Sequence, residues 1–171
     1  MRVRDVRVEW PLVGRSRELA AITTALEAAP RRGIVLTGPA GQGKTRLGHE
    51  ALRAAEAAGM CPLVAVGTRA ASTISLGALA HFLPPPDRRP DRLADLVARA
   101  QSAIAAHGGP NGVALLVDDA HLVDGATATV VHQLALTRTA TVIATVRDDE
   151  EAPDAIRALW KEGLAERLEV G

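Results

Sequence analysis

The chain has 171 residues, of which 47% are hydrophobic and 23% are charged, which is typical of one folded globular domain of about 150 residues and excludes disordered and fibrous classes. The formal net charge is zero, which argues against a nucleic-acid-binding domain with an overall basic surface. Aromatic residues, at 2%, are too few for a stacking platform that binds single strands.

The sequence lacks the features of membrane and secreted proteins. No apolar run approaches the roughly 18 residues of a membrane span, and residues 1–10 alternate charge with valine where a signal peptide has an apolar core. Cys61 is the single cysteine, so no internal disulfide can form, and no cysteine–histidine cluster has metal-site spacing. We therefore expect a cytoplasmic protein without a membrane partner.

Hydrophobic periodicity and turn residues predict helices that alternate with strands. The predicted order is a helix ending at Pro30, a strand at 33–37, a helix at 44–58, a strand at 61–66, a short helix at 76–82, a helix at 92–107, a strand at 112–117, a helix at 125–136, a strand at 139–146, a helix that starts in the acidic run 148–151 and continues to 162, and an edge strand at 165–170. Nearly continuous apolar strands between helices predict an α/β fold with a parallel sheet covered on both faces.

The segment GPAGQGKT, at 38–45, matches the pattern G-x-x-x-x-G-K-[ST] and lies between a predicted strand and a predicted helix. Glycines let the backbone wrap so that successive amides point at phosphate oxygens, and the helix start adds the positive end of its dipole. Lysine is rare here, with 2 Lys against 18 Arg, which argues against the alternative of a chance glycine-rich turn. The predicted nucleotide-binding residues are Gly38, Pro39, Ala40, Gly41, Gln42, Gly43, Lys44, Thr45 and Arg46, in which Lys44 neutralises the β- and γ-phosphates and Thr45 is a ligand of Mg²⁺.

An aspartate pair, Asp118 and Asp119, ends the predicted strand in VALLVDDAH. A carboxylate at this point can hold the Mg²⁺ that bridges nucleotide phosphates, and a second one can polarise a hydrolytic water. We predict Asp118 as a metal-binding residue and Asp119 as a catalytic residue. The alternative is an aspartate pair that caps the following helix.

Arg147 ends the strand TVIATVR. The carboxyl ends of parallel strands converge on the ligand crevice, so Arg147 is predicted to contact the γ-phosphate as a catalytic residue. The alternative is a surface arginine that pairs with the acidic run 148–151. His121 and Asp124 suggest a metal site, but a helix cap at Asp124 is favoured, and Cys61 is expected to be buried and unreactive.

These segments, together with LVGRSRE at 12–18, occur in the order found in signal-transduction ATPases with numerous domains (STAND), which are related to the AAA+ ATPases. GTRAASTISLGALAHFLPP, at 67–85, is similar to large ATP-binding regulators of the LuxR family from actinobacteria, which resemble the maltose-regulon activator in organisation. The resemblance extends from Trp10 to Gly171.

The resemblance implies a P-loop NTPase three-layer sandwich with a five-stranded parallel sheet of order 5-1-4-3-2. It implies that Val13, Gly14 and Arg15 lie near adenine and ribose, that Glu18 supports their loop, that Asp118 holds Mg²⁺ through water, and that Arg147 is the sensor. It also implies that residues 1–171 form the ATPase core of a longer protein whose lid, helical repeats and C-terminal helix-turn-helix lie outside this chain.

The function that the resemblance implies is an ATP/ADP switch in a multidomain transcription regulator, with slow hydrolysis because Asp119 replaces the glutamate of many AAA+ enzymes. Its partners would be nucleotide, the other domains of the full protein and copies of itself, with no direct nucleic-acid binding by this piece. The alternatives are an active AAA+ ATPase of the loader or motor kind, a small-molecule kinase and a nucleotide-binding scaffold. A kinase would need an arginine-rich lid and an acceptor base, and neither is identifiable.

Overall fold

The computed structural model describes residues 14–28, 30–85 and 92–171. Within these residues, helices and strands alternate as predicted. The helices are α1 (Ser16–Glu27), α2 (Lys44–Ala57), α3 (Leu93–Ala105), α4 (Gly125–Leu136) and α5 (Asp154–Lys161), and the strands are β1 (Gly33–Gly38), β2 (Cys61–Val66), β3 (Val113–Asp118), β4 (Ala140–Arg147) and β5 (Ala165–Glu169).

The strands form one sheet in the order β2-β3-β4-β1-β5, and each neighbouring pair is parallel. This confirms the predicted α/β P-loop NTPase sheet order and the edge position of β5. In the register of the sheet, Gly38 of β1 lies opposite Arg147 of β4, and Val66 of β2 lies opposite Asp118 of β3. The carboxyl ends of these strands therefore meet at one edge of the sheet.

Both faces of the sheet are covered by apolar side chains. Successive residues of a strand point to opposite faces, so Leu116 packs towards α1 and α2, whereas Leu115 and Val117 pack towards α3, α4 and α5. Each face has its own cluster of buried residues, so the central strands β1, β3 and β4 are apolar on both sides. The result is the predicted three-layer arrangement of helices, sheet and helices.

Two local details differ from the prediction. The segment at 77–82 is a 3₁₀-helix. The acidic run 148–151 is not the first turn of α5, which begins only at Asp154 after Pro153. A proline disfavours helical backbone in the residue before it, and Asp149 and Glu150 instead pair with Arg147.

The described helices include none that is long and apolar enough to cross a membrane.

Candidate functional site

The loop between β1 and α2 is wrapped tightly because of its glycines. A Cβ atom at Gly38 would lie 2.1 Å from the backbone oxygen of Val170, so no larger residue fits there without moving the chain. Gly41 and Gly43 both have φ near +80°, a left-handed conformation that favours glycine. Gly43 is the N-cap residue of α2 and makes no side-chain hydrogen bond. The backbone amides in the first turn of α2 are therefore not capped by the side chain of this residue.

Lys44 directs its ammonium group into this loop. The residue is 6% exposed, and its Nζ donates hydrogen bonds to the carbonyl oxygens of Gly38 at 2.7 Å and Pro39 at 2.5 Å. The positive charge is thus held at the mouth of the loop, beside the amino end of α2. A site of this kind favours anions, because a cation, backbone amides and a helix dipole converge on it.

Asp118 lies at the end of β3 and joins the loop to the sheet. Its Oδ1 accepts a hydrogen bond from Thr45 Oγ1 at 3.0 Å and another from Thr145 Oγ1 at 2.6 Å. Asp118 is 7% exposed. A hydroxyl and a carboxylate are hard oxygen ligands of the kind that Mg²⁺ takes together with nucleotide phosphates, so Thr45 and Asp118 fit the predicted metal site.

Asp119 is half-buried and follows directly after Asp118. Its backbone is left-handed, with φ of 50°, and its amide donates a hydrogen bond to Thr145 Oγ1 at 2.8 Å. This turn directs the chain away from the sheet and into the 3₁₀-helix at 120–122. The cap of α4 is a different residue, Asp124, which accepts from the amide of Thr127.

Arg147 lies at the predicted strand end, next to Gly38 in the sheet register. Its guanidinium donates two hydrogen bonds to the carboxylate of Asp149, at 3.1 and 2.7 Å, and lies 3.0 Å from Glu150 Oε1. The hydrogen bonds with Asp149 raise the pKa of Arg147 and lower that of Asp149. The alternative interpretation of the sequence predicted this pairing with the acidic run 148–151. The contact of Arg147 with a γ-phosphate stays a prediction.

The segment before α1 is tied to the same loop. Arg15 donates hydrogen bonds to Glu18 Oε1 at 2.7 Å, to the carbonyl of Gln42 at 3.1 Å and to that of Gly171 at 2.9 Å. The pairing with Arg15 lowers the pKa of Glu18. Gly14, which has φ of +83°, allows the turn before α1. Val13 lies outside the described residues.

The sequence model of the AAA ATPase domain matches residues 11–146. The chain belongs to the AAA ATPase domain family. A search of curated proteins finds no match.

Three solved structures are similar to this AAA ATPase domain in fold. The Orc1 protein of Aeropyrum pernix, in complex with DNA, has a TM-score of 0.62 and 13% identity over 92% of this chain and 45% of its own. AMPPCP-bound DnaA of Aquifex aeolicus has a TM-score of 0.58 and 16% identity over 92% and 46%. The Pif1 helicase of Candida albicans has a TM-score of 0.57 and 16% identity over 91% and 39%. This chain therefore spans less than half the length of each.

Sequence reasoning missed Thr145 of this AAA ATPase domain and considered His121 only for a metal site that it did not favour. Thr145 is fully buried between Asp118 and Asp119. Its signal in the sequence was a hydroxyl near the carboxyl end of a largely apolar strand, which also contains Thr141. His121 has a buried side chain whose Nδ1 accepts from the Arg147 amide at 3.4 Å. Burial lowers the pKa of His121, an effect that Asp119 and Glu150 oppose.

Proposed function

We propose that this AAA ATPase domain is an ATP/ADP switch that hydrolyses ATP slowly with Mg²⁺. The observation that carries the proposal is the hydrogen bond from Thr45 Oγ1 to Asp118 Oδ1, which joins the phosphate-binding motif to the strand-end aspartate across 73 residues of sequence. The two candidate metal ligands are thus adjacent, at the mouth of a loop that carries the Lys44 ammonium.

In this proposal, the phosphates lie in the loop at 38–45. The amides of the loop and of the first turn of α2 donate to phosphate oxygens. Lys44 would neutralise the β- and γ-phosphates by turning its ammonium towards them from the carbonyls of Gly38 and Pro39, to which it donates hydrogen bonds. Arg15, through its contact with Gln42, supports the loop from the side on which we expect adenine and ribose.

Thr45 and Asp118 would hold Mg²⁺, Thr45 directly and Asp118 through water. When bound, the ion neutralises charge on the β- and γ-phosphates. Asp119 would polarise the attacking water as a general base. The side chain of Asp119 is one methylene shorter than that of glutamate, and its backbone amide is held by Thr145. Both features limit how far its carboxylate can reach towards the water, which supports slow turnover.

Arg147 would distinguish ATP from ADP. It lies beside Gly38 in the sheet and is drawn towards Asp149 and Glu150. A γ-phosphate would compete with these carboxylates for the guanidinium, whereas ADP would leave the ion pairs intact. Differential contact of this kind is what allows a ligand to shift a conformational equilibrium.

The role of the switch is proposed from the sequence resemblance to LuxR-family regulators of the STAND class. In such a protein, nucleotide state would govern the arrangement of further domains and the assembly of copies of the chain in transcription regulation. The zero net charge of the chain gives little counterion-release driving force for DNA binding, so DNA contacts are assigned to a domain outside this sequence.

The second candidate function is an active AAA+ ATPase of the loader or motor kind. It is favoured by the fold similarity to an Orc1 protein in complex with DNA and to a DnaA protein. Such an enzyme would hydrolyse ATP briskly and would use an arginine finger from a neighbouring subunit. Turnover per molecule that rises steeply with protein concentration would favour this candidate over the switch.

The test of the proposed function is calorimetric titration of ADP and of AMPPCP, with Mg²⁺, into the wild-type chain and two lysine variants. We expect Lys44→Ala to weaken binding by about 10- to 100-fold, because a hydrogen bond to a charged group contributes about 1.5–3 kcal/mol. Lys161→Ala removes the same side chain from an exposed site on α5 and should leave binding unchanged. Unchanged binding in Lys44→Ala would refute the proposal.

The same titration tests Arg147. We expect Arg147→Ala to weaken binding of AMPPCP more than binding of ADP, and Asp149→Asn to favour AMPPCP by releasing the guanidinium. Equal effects on both nucleotides would exclude Arg147 as the group that distinguishes them.

A further inference from the structure

We propose that Thr145 is a positioning residue that orients both Asp118 and Asp119 for the Mg²⁺–nucleotide complex. The inference rests on the proposed function. Thr145 Oγ1 donates a hydrogen bond to Asp118 Oδ1 at 2.6 Å and accepts one from the amide of Asp119 at 2.8 Å. One hydroxyl thus connects the candidate metal ligand with the candidate catalytic base.

The first consequence concerns the carboxylate of Asp118. Thr45 and Thr145 both donate to Oδ1, and among the residues that the structure describes none donates to Oδ2. Two donors on one oxygen fix the rotation of the carboxylate and leave the other oxygen for a cation or its water. Hydrogen bonds to a metal-binding carboxylate from outside the ligand set are known to tune metal affinity.

The second consequence concerns the backbone of Asp119. This residue has a left-handed conformation with φ of 50°, which is uncommon outside glycine but which aspartate adopts more readily than most residues. The amide of Asp119 donates a hydrogen bond to Thr145 Oγ1, and the carbonyl of Asp119 accepts one from the amide of Leu122 at 2.9 Å. Both backbone groups are therefore fixed, and the direction in which the Asp119 side chain leaves the turn is fixed with them.

Thr145 is itself held by packing. It is 0% exposed, and a Cβ atom built on Gly48 of α2 would lie 3.3 Å from its Cγ2. The methyl group thus packs closely against a position on α2 that has no side chain. A β-branched residue in a strand has few χ1 choices, so this contact sets the direction of the hydroxyl.

The experiment compares nucleotide affinity in Mg²⁺ with affinity in EDTA, using ADP and AMPPCP and all 171 residues of this chain. Thr145→Val removes the hydroxyl and preserves shape, and Thr145→Ser restores the hydroxyl. Thr141→Val is the matched control, since Thr141 lies on the same strand four residues earlier, and its side chain points to the same face.

We expect the Mg²⁺-dependent gain in affinity to fall by about 10- to 100-fold in Thr145→Val, the range seen when outer hydrogen bonds of metal sites are removed. Affinity in EDTA should stay at the wild-type value. Thr145→Ser should recover most of the gain, and Thr141→Val should match the wild type. A purely structural role would instead lower the urea midpoint and leave the Mg²⁺ dependence intact.

Wild-type dependence on Mg²⁺ in Thr145→Val would overturn the inference while the proposed function stands. Absence of nucleotide binding by the wild-type chain would refute the proposed function and, with it, the inference. If Thr145→Val does not fold, Thr145→Ala is measured in its place, since it introduces no new atoms. Wild-type dependence on Mg²⁺ in that variant would then overturn the inference, and a reduced dependence would support it.

Discussion

Asp124 joins the start of α4 to the loop that precedes the 3₁₀-helix at 77–82. Its Oδ1 accepts hydrogen bonds from the amide of Thr127 at 3.0 Å and from the amide of Leu76 at 3.1 Å. Leu76 is 1% exposed and has φ of 59°, so its backbone depends on this contact. We predict that Asp124→Ala will destabilise the fold through both partners.

The magnitude follows from the two contacts. Loss of an N-terminal helix cap costs about 1 kcal/mol, and a buried amide left without an acceptor costs about 1–3 kcal/mol. We therefore expect Asp124→Ala to lower the free energy of unfolding by about 2–4 kcal/mol. Asp124→Asn keeps an oxygen acceptor and remains a good cap, so it should lose less than half as much.

The assay is urea denaturation followed by circular dichroism. With a slope of about 2 kcal/mol per molar urea, the alanine variant should unfold at a midpoint about 1–2 M lower than the wild type. A loss below about 0.5 kcal/mol, or an equal loss in the alanine and asparagine variants, would refute the reasoning that Asp124 acts as a hydrogen-bond acceptor for two amides.

Two further predictions concern His121 and the glycine-rich loop at 38–45. Because burial lowers the pKa of His121 below its usual 6.5, the unfolded chain takes up a proton first, so stability should fall as the pH drops from about 7.5 to about 5.5. In urea titrations, His121→Asn should flatten this slope, and equal slopes would contradict the assignment. Gly38→Ala, whose Cβ would meet the Val170 oxygen, should cost about 3 kcal/mol. Gly41→Ala, with open space around its Cβ, should cost only the left-handed strain of about 1–2 kcal/mol, and equal urea midpoints would refute the difference.

Much of the fold could be predicted from sequence because its determinants are local. Apolar runs define β1, β3 and β4. Gly59 ends α2 as predicted: it has φ of +84°, its amide donates to the carbonyl of Glu56, and the amide of Met60 donates to the carbonyl of Ala55. The predicted start of α5 was wrong because two local signals in the sequence competed. An acidic run favours a first helical turn, but Pro153 restricts the backbone before it, and the carboxylates pair with Arg147.

The sequence by itself also determined the GPAGQGKT motif at 38–45, because its residues are contiguous and the phosphate binding that we propose for it depends on their spacing. What only the tertiary structure decided is how Thr45, Asp118 and Thr145 converge, since they are separated by 73 and 27 residues. Thr145 has no motif of its own, and its hydrogen bonds with Asp118 and Asp119 form only because β3 and β4 lie side by side. The physical reason is the parallel sheet, which brings the carboxyl ends of distant strands to one edge.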